Sequence, residues 1–256
     1  DFGEDYGRSK FEQEYLCSFD AANLGAILAR QIGINEKKGL IGDHVEYDPL
    51  GAQLQISADI GHSDSSTWWF WQPCLGGYRI VDYDGGFGID AEEWCIRLQS
   101  RIAKYGANAH GTIWLPHDAR AKTFAAKRSA VEIFVEHFGS DHVSITPNSR
   151  IADRVNAARV LINRVEFHES NCHQGLEGLR AWSYKYNDET KIFSSEPVHD
   201  WASHDGDGFS YGCLIMSQLS PPVDDTRTIR GLTVGNNKVT LEELFADSKV
   251  QKRTRI

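Results

Sequence analysis

Residues 54–72 constrain the fold most: they predict a strand, a tight polar turn, and a second strand rich in aromatic and β-branched residues. Asp59 lies near the end of the first strand, just before Gly61 breaks the pattern. Burying a carboxylate is costly unless a cation or a hydrogen-bond donor meets it. Asp59 is therefore either a residue that caps the turn or a ligand whose partner comes from elsewhere in the chain.

Composition places the chain among globular proteins large enough to bury a sizeable core. It has 256 residues, of which 41% are hydrophobic and 25% are charged. No apolar run approaches the roughly 18–20 residues of a membrane span. The acidic start is no signal peptide, and a start without Met indicates either a trimmed chain or a piece of a longer one. Five scattered cysteines without a CxxC pair argue against a disulfide framework and a zinc knuckle, and favour a reducing compartment.

The net charge of −9, taken alone, counts against a nucleic-acid partner. Two observations weaken that objection. A metal site concentrates acids that cations then neutralise, and the basic residues here are clustered within residues 120–128, 150–164 and 249–255. Each cluster is either a solvated face or a set of phosphate contacts.

The order of predicted elements indicates an α/β fold with a ribonuclease H-like mixed sheet. Three antiparallel strands, the third ended by Asp84-Gly85-Gly86, precede parallel strands, with helices on both faces. The later predicted elements are a helix over residues 91–105 capped by Asp90, a strand over 111–118, a helix over 123–138, a strand over 141–146, and helices over 151–164, 174–186 and 209–219. The predicted division is a lead-in or linker at residues 1–50, the main domain at 51–222, and a tail at 223–256.

Three carboxylates stand at comparable places: Asp59 and Asp118 end predicted strands, and Asp207 begins the last helix. Carboxyl ends of neighbouring parallel strands meet at one edge of a sheet, and three converging carboxylates repel each other unless cations intervene. Hard oxygen ligands suit Mg²⁺ or Mn²⁺. Two such ions, about 4 Å apart, activate a water and stabilise the leaving oxygen of a phosphodiester.

The polar stretch before the last helix leaves two assignments open. His204 is either a further metal ligand or proton carrier, or a turn residue that hydrogen-bonds the backbone. Asp205 competes with Asp207 for the third acidic position. Arg120 and Lys122 follow Asp118 and are the residues we expect to face DNA phosphates, with a plain surface role as the alternative.

Five segments carry a resemblance to a known family: residues 58–67 (ADIGHSDSST), 70–72 (FWQ), 114–119 (WLPHDA), 155–161 (VNAARVL) and 199–209 (HDWASHDGDGF). In these segments the chain resembles the C-terminal nuclease domain of the large terminase subunit of tailed bacteriophages. Residues 11–15 resemble the exit from the packaging ATPase domain. The family more often has alanines where Gly206 and Gly208 stand here; its pattern favours Asp207 over Asp205.

The resemblance implies a ribonuclease H-like metal-dependent endonuclease that cuts double-stranded concatemeric DNA during viral genome packaging by two-metal-ion hydrolysis. Its metal ligands would be Asp59, Asp118 and Asp207, joined by His204, holding two Mg²⁺ or Mn²⁺ ions. The resemblance also implies that the full-length chain carries an ATPase domain and that its partners are the portal protein and the small terminase subunit. It implies no membrane association and a location in the cytoplasm of the infected bacterial host. No Walker A pattern is present, so this chain alone cannot power translocation.

Two alternatives stay open at this point. One is a DNA-clamping and portal-docking module that cuts little by itself, which the acidic charge and basic tail favour. The other is a different ribonuclease H-like enzyme, such as a junction resolvase or a transposase.

Overall fold

A computed structural model describes residues 25–61, 65–121, 128–187, 189–190 and 192–219. The strands are β1 Leu54–Asp59, β2 Ser65–Cys74, β3 Gly77–Phe87, β4 His110–Leu115, β5 Val143–Ile145, β6 Val165–Phe167, β7 Tyr184–Asn187 and β8 Ile192–Pro197. The helices are α1 Ala29–Lys37, α2 Ala91–Ala103, α3 Ala130–Phe138, α4 Ile151–Leu161, α5 Glu169–Ala181 and α6 Ser203–Gln218. Among the helices of these ranges, none combines the length and apolarity needed to span a bilayer.

In the described ranges, six strands form one mixed sheet in the order β5-β4-β1-β2-β3-β6. β2 pairs antiparallel with both β1 and β3, whereas β4 runs parallel to β1, β5 parallel to β4, and β6 parallel to β3. The predicted mixed sheet, with three antiparallel strands followed by parallel ones, is confirmed. Because β1 and β4 are parallel neighbours, both strands end at the same edge of the sheet.

The aromatic strand β2 supplies side chains to two hydrophobic cores, because successive residues of a strand point to opposite faces. Trp68 and Phe70 pack under α2 and α3, whereas Trp69 and Trp71 pack under α1, α4, α5 and α6. All four side chains are fully buried. Helices therefore cover both faces of the sheet, as predicted, and β2 contributes side chains to the core on each face.

Local capping explains where two helices begin. The Asp90 side chain accepts a hydrogen bond from the Glu93 amide at 2.8 Å, which satisfies a donor that the first turn of α2 leaves open. Ser129 and Glu132 form a reciprocal capping box at the start of α3. The predicted Asp90 cap is confirmed.

The third strand does not end at Asp84-Gly85-Gly86, which corrects the prediction. Asp84, Gly85 and Gly86 pair with Trp68, Thr67 and Ser66 of β2, and β3 continues to Phe87. The glycines are required for packing here rather than for a turn. A Cβ at Gly85 would lie 2.5 Å from the Tyr83 hydroxyl oxygen.

Two further element predictions are wrong in their bounds. In the polar stretch before Phe209 only residues 200–202 form a turn, because α6 already begins at Ser203 rather than at Phe209. The helix predicted to reach Tyr186 ends at Ala181, and β7 and β8 follow as an antiparallel pair that the sequence reading missed. In that pair the Tyr186 and Phe193 rings lie 4.9 Å apart, a cross-strand contact typical of hairpins.

Part of the predicted lead-in packs into the core. Ile27, Leu28 and Ile32 are almost fully buried in the core that also holds Trp69 and Trp71. The described residues before 51 therefore contribute to the fold of the main domain. The predicted domain division itself stays a prediction, and the predicted tail at residues 223–256 lies outside the described residues.

We predict opposite effects for two helical glycines. A Cβ added at Gly212 would lie 2.5 Å from atoms of the fully buried Trp71 ring, so Gly212→Ala should lower the free energy of unfolding by about 1–3 kcal/mol. At Gly33 on α1, nothing lies within 4 Å of an added Cβ. Gly33→Ala should therefore raise stability by about 0.5–1 kcal/mol. Urea denaturation checks both, and a Gly212→Ala midpoint at or above wild type would contradict the packing argument.

Candidate active site

Side-chain hydrogen bonds fix the start of α6 over the ends of β1 and β2. The bonds run from Ser57 Oγ to the Gly208 carbonyl at 2.9 Å, from Thr67 Oγ1 to the His204 carbonyl at 2.9 Å, and from Trp69 Nε1 to the Asp205 carbonyl at 3.1 Å. Trp71 Nε1 donates to Ser57 Oγ at 3.0 Å and so orients that serine. The helix that carries the predicted acids is thus bonded directly to the central strands.

Two glycines permit this close approach. A Cβ at Gly208 would lie 2.6 Å from Thr67 Oγ1 and 3.3 Å from the Asp59 amide nitrogen. A Cβ at Gly206 would lie 2.2 Å from the Trp182 ring. The alanines more common in the resembling family would clash at both positions, so the glycines have a steric reason in this chain. They also place Asp207 directly beside the end of β1.

Asp59 and His204 are in direct contact at this junction. His204 Nδ1 lies 3.0 Å from Asp59 Oδ2, and the two side chains are 14% and 21% exposed. Asp59 therefore has a partner that β1 itself does not supply. The contact orients an imidazole and a carboxylate together at a partly accessible edge of the sheet.

Asp207 lies in the second turn of α6, between Asp59 and a buried cation. Burial raises the pKa of the Asp207 carboxyl to about 6. The Arg154 guanidinium, whose Nη2 lies 3.2 Å from Asp207 Oδ1, opposes this rise, whereas the Asp59 carboxylate adds to it. The Asp59 carboxylate is thus close enough to disfavour the charge of Asp207, the electrostatic condition under which a cation binds.

Asp205 has a different environment from Asp207. It is 4% exposed, and its carboxyl accepts a hydrogen bond from the Tyr83 hydroxyl of β3. Burial raises the pKa of Asp205 to about 7. The side chain also fills the space beside Gly178 on α5, where an added Cβ would lie 1.9 Å from its Oδ2. Asp205 is therefore engaged in packing α5 and α6 on the sheet, which favours Asp207 for the third acidic position.

Asp118 lies at the same edge but makes no contact with the other two acids in the described residues. β4 ends at Leu115, and Asp118 is exposed in a short 3₁₀ turn, His117–Arg120, that replaces the predicted end of the strand. Burial raises the pKa of Tyr211 to about 12, and the Asp59, Asp207 and Asp118 carboxylates all add to that rise. The three acids thus all lie at distances from Tyr211 over which charges act, and the Arg154 guanidinium opposes their effect on its pKa.

Among the described residues, no three His, Cys, Asp or Glu side chains are close enough together to hold a metal ion. The donor chemistry nevertheless suits a hard divalent cation, because it offers carboxylate oxygens and one imidazole. The effect of the Asp59 carboxylate on the pKa of Asp207 fits such a group as well. For the three acids to share a cation, Asp118 would have to move closer to Asp59 and Asp207.

The predicted phosphate-binding residues are only partly described. Arg120 is exposed in the turn that carries Asp118, so it lies beside the candidate site. Lys122 lies outside the described residues. A cavity of about 270 Å³ opens next to His204 and is lined by the exposed aromatic side chains of Phe87 and Trp201. His204 therefore borders a cavity with both polar and aromatic walls.

Arg154 is the site residue that sequence reasoning missed, since it was grouped with a basic surface. The spacing of residues on α4 nevertheless indicates that Arg154 is buried. Arg154, Ala158 and Leu161 recur at i, i+4 and i+7, and all are buried on α4. An arginine in the buried register of an amphipathic helix indicates a partner carboxylate, which here is Asp207.

We predict that Tyr83→Phe destabilises the protein. The substitution removes the hydroxyl that donates to the buried Asp205, and an unsatisfied buried acceptor costs about 1–3 kcal/mol. Tyr47→Phe is the matched control, because Tyr47 packs against Tyr105 away from the site. Thermal unfolding should show a lower midpoint for Tyr83→Phe than for Tyr47→Phe, and equal midpoints would refute the role given to this hydrogen bond.

With this geometry established, solved structures identify the fold. The large terminase of a thermophilic bacteriophage, in complex with ATP-gamma-S, aligns with 74% of this chain at a TM-score of 0.56 and 13% sequence identity. The nuclease domain of the g2p large terminase from bacteriophage SPP1, with bound Mn, aligns with 67% of this chain at a TM-score of 0.50 and 11% identity.

The extent of the match differs between these two structures. The aligned region is 45% of the thermophilic phage's terminase chain but 92% of the SPP1 nuclease domain. No protein-family model and no curated protein matches the chain. At such low identities the likeness concerns the fold, and in its fold this chain is similar to the nuclease domains of phage large terminases.

Proposed function

We propose that this chain is a metal-dependent DNA endonuclease that hydrolyses phosphodiester bonds. The observation that supports the proposal most is the meeting of Asp59, His204 and Asp207 where β1 ends and α6 begins. The same junction is built on a fold similar to that of terminase nucleases. Two acids and an imidazole at one junction, on a fold of this kind, favour metal-assisted hydrolysis over simple DNA clamping.

In this proposal Asp59, Asp118 and Asp207 would hold two Mg²⁺ or Mn²⁺ ions. Such ions supply positive charge for the developing phosphate oxyanion and lower the pKa of a water that attacks it. His204 holds Asp59 in one orientation through its Nδ1 contact and is a further candidate ligand. Arg120, and Lys122 by sequence position, are candidates for holding the DNA backbone beside the acids.

The biological setting follows from the likeness to large terminases and belongs to the same proposal. The chain would cut double-stranded concatemeric DNA during genome packaging, in the cytoplasm of the infected host. An ATPase domain, the portal protein and the small terminase subunit would be its partners. The terminase that binds ATP-gamma-S is more than twice as long as the region aligned here. The described residues give no observation in favour of the portal-docking or junction-resolving alternatives.

We expect three substitutions each to reduce Mn²⁺-supported plasmid cleavage by more than about 100-fold: Asp59→Asn, Asp118→Asn and Asp207→Asn. Changing a residue that merely supports a metal ligand already costs up to about 100-fold in activity, so loss of a ligand itself should cost more. Each change replaces a negatively charged carboxylate with a neutral amide of nearly the same volume. Asp141→Asn is the matched control, since Asp141 is exposed and outside the site. EDTA should abolish cleavage by the wild type.

The wild type and the variants are compared by agarose gels of supercoiled plasmid, with circular dichroism to check folding. Cleavage that survives in folded Asp59→Asn and Asp118→Asn at the wild-type rate would overturn the proposed function. Cleavage lost equally in Asp141→Asn would show that the effect is not specific to the site.

A further inference from the structure

Arg154 is a nearly buried cation at the third carboxylate of the candidate site. It projects from α4, its side chain is 7% exposed, and its Nη2 lies 3.2 Å from Asp207 Oδ1. Its guanidinium carbon lies 4.0 Å from the centre of the Tyr211 ring, a cation–π contact. Asp207 and Tyr211 are four residues apart, on one side of α6, so both contacts clamp the guanidinium against that helix.

The remaining donors of this guanidinium are unsatisfied. Arg154 Nε and Nη1 are buried and have no hydrogen-bond partner in the described part of the chain. A buried charge with unused donors is costly to fold, and an apolar side chain of similar volume would pack α4 against α6 at lower cost. Stability of the core is therefore a poor explanation for an arginine at this position.

A second arginine shows what a structural ion pair looks like in this chain. Arg101 on α2 places Nη1 2.7 Å from Asp82 Oδ1 and Nε 2.6 Å from Asp84 Oδ2. Two separate donors thus meet two buried acids of β3. Arg154, by contrast, meets a single oxygen of one carboxylate, and that carboxylate belongs to the candidate metal site.

We propose that Arg154 is a positioning residue for the metal site. By holding Oδ1 of Asp207, it fixes the orientation of that carboxylate and leaves Oδ2 for a divalent cation. Its positive charge also balances part of the negative charge that the acids bring to this junction. This inference rests on the proposed function, because it assigns Asp207 to a metal ion.

Direct measurement of Mn²⁺ affinity tests the inference without relying on cleavage. Isothermal titration calorimetry compares the wild type with Arg154→Met, which removes the charge and keeps a long side chain. Loss of a group that orients a metal ligand typically weakens metal binding by about 10–100-fold, and we expect a loss of this size. Arg154→Lys keeps the charge but loses the planar guanidinium, so its Mn²⁺ affinity should lie between those of the wild type and Arg154→Met.

Arg159→Met is the matched control on the same helix. Arg159 also lies over a tyrosine ring, 5.7 Å from Tyr184, and its Nε donates to the Ile27 carbonyl at 3.5 Å, away from the acids. The variant loses the same charge, and its Mn²⁺ affinity should equal that of the wild type. Equal weakening by Arg159→Met and Arg154→Met would overturn the inference, because the effect would then be one of net charge.

The outcomes separate this inference from the proposed function. If the wild type binds no Mn²⁺, the proposed metal site is wrong and the inference is wrong with it. If the wild type binds Mn²⁺ and folded Arg154→Met binds it equally well, only the inference is overturned. Should Arg154→Met fail to fold, unchanged Mn²⁺ affinity in Arg154→Lys overturns it instead.

Discussion

The candidate site depends on the bonding of one helix to the sheet through the side chains of the strands beneath it. Ser57, Thr67 and Trp69 donate to carbonyls in the first turns of α6, so these contacts combine core packing with placement of the acids. Trp69 is fully buried and yet supplies a hydrogen bond to the backbone of Asp205. The aromatic strand is therefore both the centre of the fold and the support of the site.

Electrostatics at this junction oppose the packing that creates it. Burial raises the pKa of Asp207 to about 6 and that of Asp205 to about 7, so ionising these carboxyls works against folding near neutral pH. Each acid has its own compensating group: the Tyr83 hydroxyl meets Asp205, and Arg154 meets Asp207. This separation gives two neighbouring acids different surroundings: Asp205 is bonded to Tyr83 of the sheet, and Asp207 is paired with Arg154 within charge range of Asp59.

The sequence predicted the sheet and the place of Asp59 at the end of β1, because alternation and strand-end carboxylates are local patterns. Asp207 was expected to begin the last helix and lies instead in its second turn. The sequence did not predict that α6 begins at Ser203, since polar residues and glycines there resemble a turn. Donors on β1 and β2, far away along the chain, meet the carbonyls of that segment. The inward direction of Arg154 also depends on a neighbouring helix. What was missed depends on contacts between distant residues, which no short window of sequence contains.

The glycines at 206, 208 and 212 have a consequence for how this chain tolerates change. Trp182, Thr67 and Trp71 occupy the space where a Cβ would lie, so these three glycines let helix α6 pack closely against the sheet and against Trp182. One added methyl group there would push the whole helix outward and carry Asp207 away from Asp59 with it. Glycines that take no part in the chemistry thus determine where the acidic side chains of α6 lie. Sensitivity to mutation should therefore extend along α6 to positions that carry no functional group.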